Sequence, residues 1–204
     1  MKDYRVFQSR TLILTLLCAA AISMAAAETT MEERPLRELL DAPMLVVKRH
    51  SYVGIHIYDT YYKWRPGGGI YIIENPWDPP EEHRVRPVID ASTPETLGGG
   101  IYSEPELSWD GTRLLFCHKR EQDASTSIYE IGIDGTGLRR ITDPTGCGDS
   151  CGSHGAQHDV SPAYLPDGRI IFTSTRPNGL VPCANSGVDI LHVMDADGSN
   201  IRRV

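Results

Sequence analysis

Several chemical signatures are missing from this 204-residue chain. It has no Cys-x-x-Cys-His, so it carries no c-type haem attachment site. It has no phosphate-binding loop and no dinucleotide fingerprint. It lacks a basic excess: 20 Lys and Arg stand against 27 Asp and Glu, a net charge of -7. That balance argues against a nucleic-acid partner, which selects basic faces. Beyond residue 27 no apolar run approaches the roughly 20 residues of a membrane span. Beyond residue 43 there is no helical periodicity. At 40% apolar and 23% charged, the chain is neither a disordered tail nor a multi-span membrane protein.

What is present divides in two. Lys2, Arg5 and Arg10 give a basic start, and Thr11 to Ala27 is almost uninterrupted apolar or small. Ala25-Ala26-Ala27 fits a small-x-small cleavage site before Glu28. Residues 1–27 read as a signal peptide, rather than an uncleaved anchor, and imply a periplasmic or extracellular protein with no stable membrane insertion after cleavage. The remainder carries a charge of -9, four cysteines, and all 19 Gly and 14 Pro. So many turn formers belong to an all-β architecture. Residues 28–43 are polar and acidic, with one short helix expected near Leu36–Leu40, and read as a linker.

From residue 44 onward the chain repeats. One unit runs Glu104–Phe116, Ser127–Gly135 and Leu138–Thr142; the next runs Ser161–Phe172, Val188–Gly198 and Ile201–Val204. Asp-Gly recurs at Asp110-Gly111 and Asp167-Gly168, then at Asp134-Gly135 and Asp197-Gly198. Asp-Gly between apolar runs is a hairpin signal, because Gly accepts the positive φ of a tight turn. A degraded earlier copy pairs Met44–Arg49 with Leu114–Arg120 and Ile170–Arg176. Between its runs lies the aromatic insertion Ser51–Gly68. Each unit predicts about four short strands, one blade of a β-propeller. The expected blades span about 44–90, 101–142 and 158–204, in a partial propeller over 44–204. Three blades leave open edges. The reading is an N-terminal portion of a longer ring, or a subunit that a protein partner completes.

The pattern Ser161-Pro-x-x-x-Pro-Asp-Gly-Arg-Ile-Ile-Phe172, with Ile190–Arg203 after it, resembles TolB-type, WD-repeat-like propellers. More narrowly, Lys48–Tyr71 and Pro94–Gly111 resemble exported proteins related to the hydrazine synthase alpha subunit. That resemblance implies a propeller fold and export, and an association with haem supplied outside these residues. Two functions follow as expectations. One is an exported non-catalytic module, a scaffold or binding surface. The other is the N-terminal part of a haem-associated oxidoreductase whose chemistry lies elsewhere.

Three clusters are candidate sites. Cys147, Cys151, His154 and His158 fall within twelve residues, and two thiolates with two imidazoles make the ligand set of tetrahedral zinc. In an oxidising compartment the same cysteines also fit a Cys147–Cys151 disulfide, or a bond to Cys183. His50, His56, Tyr58, Tyr61, Tyr62 and Trp64 form an aromatic group suited to a binding surface or to a plug of packed side chains. Glu104 and Glu106, in strand alternation, are expected on one face. No catalytic residue is assigned.

Overall fold

In a computed structural model the described residues are 36–50, 64–144, 157–177, 179–180, 182 and 188–204. By compactness the chain divides at Leu39/Leu40. Of the first part, one short helix is described, Leu36–Leu39. Everything else below belongs to the second part. Among the described residues no helix is long and apolar enough to cross a membrane.

Among the described residues, eleven strands make three antiparallel sheets in succession. The first holds β1 (Met44–Lys48), β2 (Gly69–Ile73) and β3 (Val85–Asp90). The second holds β4 (Ile101–Leu107), β5 (Arg113–Lys119), β6 (Thr126–Gly132) and β7 (Arg139–Arg140). The third holds β8 (Asp159–Tyr164), β9 (Ile170–Ser174), β10 (Ile190–Met194) and β11 (Arg202–Arg203). Each sheet is a simple meander, with neighbours in sequence adjacent in space. That is the strand order of a propeller blade. The first sheet departs from the expected four strands: its register places β1 where β5 and β9 stand, and no described strand occupies the position of β4 and β8.

The Asp-Gly turns close as their chemistry dictates. Asp110, Asp134, Asp167 and Asp197 each accept a hydrogen bond from the backbone N–H two residues on. The following glycines all have φ between 69° and 88°, the region where a Cβ is disfavoured. The first turn is one residue longer than its counterpart. Ser108 N–H reaches the Arg113 carbonyl, whereas Leu165 N–H reaches that of Arg169. Beyond the turn, Leu114 therefore matches Ile170, and Phe116 matches Phe172.

Alternation then sorts the middle sheet's side chains onto two faces. Leu114, Phe116, Tyr129 and Ile131 pack with Ile70, Ile72, Val88 and Ile89 of the first sheet and Tyr102 of β4. Leu115, Cys117 and Ile128 pack with Val160, Tyr164, Ile170, Phe172 and Met194 of the third. The middle sheet is thus covered on both sides. Polar bonds close each seam around its apolar centre. Between the first two sheets, Arg86 Nη1 donates to the Ile133 carbonyl, and the Glu95 carboxylate accepts from the N–H groups of Gly137 and Leu138. Between the second and third, the Tyr164 hydroxyl donates to Glu130 at 2.8 Å, and Trp109 Nε1 to the Tyr164 carbonyl at 3.1 Å. Burial, and then Glu130, push the Tyr164 hydroxyl well above the usual tyrosine range. It is a donor at every physiological pH.

Candidate functional site

The strands that begin the second and third sheets, β4 and β8, carry the same device. Each has a register shift at an x-Pro pair, Glu104-Pro105 and Ser161-Pro162. Glu104 has φ 53° and Ser161 φ 52°. A bulge is one of the few sheet positions that tolerates proline, and it re-aims the residue beside it. The expectation that Glu104 and Glu106 share a face is corrected here. The bulge breaks the alternation between them, leaving Glu106 exposed and Glu104 half-buried.

Glu104 turns into the seam between the sheets. Its Oε2 accepts from the Ser161 N–H at 2.7 Å and from the Cys117 thiol at 3.3 Å. Cys117 is fully buried and free. Burial, and then Glu104, push its thiol well above the ordinary range. It is held as S–H, the opposite of an activated nucleophile. Asp159 has no exposure and is clamped by Arg176, Nε to Oδ1 at 2.9 Å and Nη2 to Oδ2 at 2.6 Å, with the Ser174 hydroxyl at 2.6 Å. This seam does structural work with polar groups: every carboxylate oxygen named has a donor, and the thiol is a donor itself.

Two clefts open elsewhere on the sheets. One, of about 290 Å³, is bounded by His118, Arg120, Ser125, Ser127, Tyr129 and Arg140. His118 Nε2 lies 3.3 Å from the Gly99 carbonyl, and its ring packs on Tyr102 at 4.7 Å. Burial holds its pKa down at about 4, so it is neutral near pH 7. Arg140 is tied to Ser127, Thr142 and Asp143. The other cleft, of about 460 Å³, lies between the first two sheets and is mostly apolar. Ala42, Pro43, Leu45, Ile72, Leu107 and Ile133 line it, with Glu74 and Arg86 at the rim. Leu107 is 42% exposed. Sequence reading missed this groove, because its walls come from four strands and the turn after β6. Only the apolar ends of β1 and β4 hinted at it.

The structure places the sequence-derived candidates unevenly. His50 is exposed just after β1, and the chain returns beside it at Gly67, where a side chain would strike its imidazole. Trp64 is half-buried before β2. The two ends of the aromatic insertion therefore meet; His56, Tyr58, Tyr61 and Tyr62 lie outside the described residues. So do Cys147, Cys151 and His154. His158 is buried, and its Nδ1 faces the Thr126 N–H at 3.2 Å and hydroxyl at 3.0 Å. As the acceptor of that N–H, Nδ1 is closed to a metal. Gly148-Asp149-Ser150-Cys151-Gly152 spells Gly-x-Ser-x-Gly, and it likewise lies outside the described residues. Among the described residues no three His, Cys, Asp or Glu side chains converge as a metal site. His118, His158 and His192 are buried, each with one ring nitrogen engaged.

No protein-family model matches the chain, and no curated protein matches it in sequence. Among solved structures, a TolB-type protein from Agrobacterium tumefaciens aligns with 67% of this chain and 40% of its own, at 20% identity and a TM-score of 0.43. TolB from Acinetobacter baumannii aligns with 67% and 26%, at 19% identity and 0.42. Hydrazine synthase from Kuenenia stuttgartiensis aligns with 79% and 31%, at 15% identity and 0.39. The chain spans between about a quarter and two fifths of the length of these structures. Its own topology makes it an all-β, open, propeller-like stack of three antiparallel sheets.

Proposed function

We propose that the chain is an exported, non-catalytic propeller module that acts as a binding surface. The observation that carries this reading is the apolar groove between the first two sheets. It combines Leu45, Ile72, Leu107 and Ile133 with an ionic rim, Glu74 and Arg86 3.7 Å apart. Apolar concavities with a few polar groups at the edge are the usual form of a binding site. Away from the groove, two buried groups are not activated: Cys117, between the second and third sheets, stays a thiol, and His118 stays neutral near pH 7. Export rests on the basic and apolar start at residues 1–27.

Two measurements test the reading. Expressed with its own leader in a bacterial host, the chain should appear in the periplasm with a mass that begins at Glu28. Retention in the membrane with the leader attached would count against export. A photo-crosslinking residue at position 107 should yield one defined adduct, and Leu45→Asp should abolish it. Adducts unchanged by Leu45→Asp would refute the groove as the contact.

A further inference from the structure

The second and third sheets share an arginine just beyond their second strand, Arg120 and Arg176. The registers make them counterparts: Tyr102 pairs with His118 in one sheet, and Asp159 with Ser174 in the other. In the third sheet the first strand supplies an acid. Asp159 takes two bonds from Arg176, at 2.9 and 2.6 Å. In the second sheet the same position holds Tyr102, whose hydroxyl donates to the Gly98 carbonyl at 2.9 Å. Arg120 is exposed, and among the described residues it has no hydrogen bond and no ion pair. The second sheet has the base without its acid.

A second exchange accompanies the first. His118 pairs with Ser127 where Ser174 pairs with Ile190, so a hydroxyl stands in place of an aliphatic side chain. Both differences fall on the cleft of about 290 Å³. Arg120, Ser125, Ser127, Tyr129 and Arg140 each bring it a donor group, and among the described residues no carboxylate lines it. Ser127 is 2% exposed and accepts from Arg140 Nη2 at 2.9 Å, which leaves its own proton for a ligand. The Ser125 and Tyr129 hydroxyls have no hydrogen bond among the described residues. Asp143, the acid paired with Arg140, is 70% exposed, and water screens such a surface pair. The turn's own acids, Glu121 and Asp123, are exposed and off the cleft wall.

We propose that this cleft is a site for a tetrahedral oxyanion, a sulfate or phosphate group, held by Arg120 and Arg140. The anion does for Arg120 what Asp159 does for Arg176. Guanidinium groups make paired, charge-assisted bonds to such oxygens. A group with several acceptor oxygens suits donors that come from a turn and from two strands; a carboxylate has only two. The net charge of -7 opposes an anion at long range, so the affinity comes from these contacts and not from the field of the whole chain. The inference rests on the second sheet and not on the apolar groove at Leu107, so the two fail separately.

Calorimetric titration of the purified chain with inorganic sulfate and with inorganic phosphate, at constant ionic strength, tests it. The expected result is saturable binding of one ion per chain, with a Kd of about 1 mM. Arg120→Gln should weaken it about tenfold or more. Ser125→Asp, which puts an acid on the cleft wall, should abolish it. Both variants alter side chains that lack a partner, so the melting temperature without the ion should not change. Arg202→Gln, at an exposed arginine outside the cleft, should bind as the wild type does. Glycerol phosphate beside inorganic phosphate identifies the source: a tighter ester marks the anionic end of a larger ligand, and an equal or weaker one marks the free ion. No saturable heat at roughly ten times the expected Kd would overturn the proposal. So would equal binding by wild type and Arg120→Gln, or a loss shared by Arg202→Gln.

Discussion

Removing Arg176 should expose how much the buried Asp159 depends on it. The Asp159 carboxylate has no solvent exposure, whereas the Arg176 side chain keeps 25%. Their two bonds are 2.9 and 2.6 Å, with the Ser174 hydroxyl as third donor at 2.6 Å. Truncating one partner of a buried pair costs about 3–5 kcal/mol, because the other charge is left without compensation. In Arg176→Met the Ser174 bond survives and water reaches the vacated rim, so the lower end applies, about 3 kcal/mol. For a chain of this size that lowers the melting temperature by roughly 6–12 °C. Asp159→Asn should cost less, about 1–2 kcal/mol, since the arginine left behind can rehydrate. The double variant should be more stable than the sum of the single losses predicts, by about 2 kcal/mol. Urea unfolding followed by tryptophan fluorescence, from Trp64, Trp77 and Trp109, measures all three. An Arg176→Met loss below 1 kcal/mol, or simple additivity, would refute the account of a coupled buried pair.

Other outcomes follow from single sites. Burial holds His118 at about 4 against an ordinary 6.5, so below pH 6.5 the unfolded chain takes up a proton that the fold resists. Stability should be full above 6.5 and fall as the pH drops toward 4, by about 3 kcal/mol; in His118→Phe that segment of the pH profile should be flat, and an unchanged profile would assign it to another group. Gly168 and Gly198 have nearly the same φ, 87° and 88°, but a Cβ at 168 meets nothing within 4 Å while one at 198 overlaps the Ile141 carbonyl oxygen. Gly168→Ala should cost about 1–2 kcal/mol from backbone strain alone, and Gly198→Ala clearly more; equal losses in thermal melts would contradict the contact. For the cysteine-rich segment we expect a Cys147–Cys151 disulfide in the exported chain. Intact mass after alkylation should show two fewer reactive thiols than the reduced chain. Stoichiometric zinc, lost in Cys147→Ser, would reverse that assignment.

The repeat was legible because its cues are local. An Asp side chain bonding two residues ahead and a Gly accepting positive φ need nothing from the rest of the chain. Asp110, Asp134, Asp167 and Asp197 accordingly make the same turn four times. Gly67-Gly68-Gly69 and Gly98-Gly99-Gly100 each precede Ile-Tyr, and a strand starts at each place, β2 at Gly69 and β4 at Ile101. What sequence reading lost was register. The bulge at Glu104-Pro105 turns one glutamate into the seam and leaves the other in solvent, and period-two alternation has no way to represent that slip. The extra residue in the turn at Ser108–Arg113 changes which positions correspond between sheets. Bonds such as Glu130 to Tyr164 join residues 34 apart and depend on how sheets stack. Local pattern holds no trace of them.

The burial of Cys117 also bears on its chemistry before the sheets close. Its thiol is walled off by Glu104 on one sheet and the Asp159 carbonyl on the next, so it becomes unreachable only when those sheets close. Until then it is one more sulfur able to enter exchange with Cys147, Cys151 and Cys183. In an oxidising compartment, closure of the second sheet on the third would take Cys117 out of that exchange. A fold that opens more often, as in the destabilised Arg176→Met chain, would expose the Cys117 thiol to exchange.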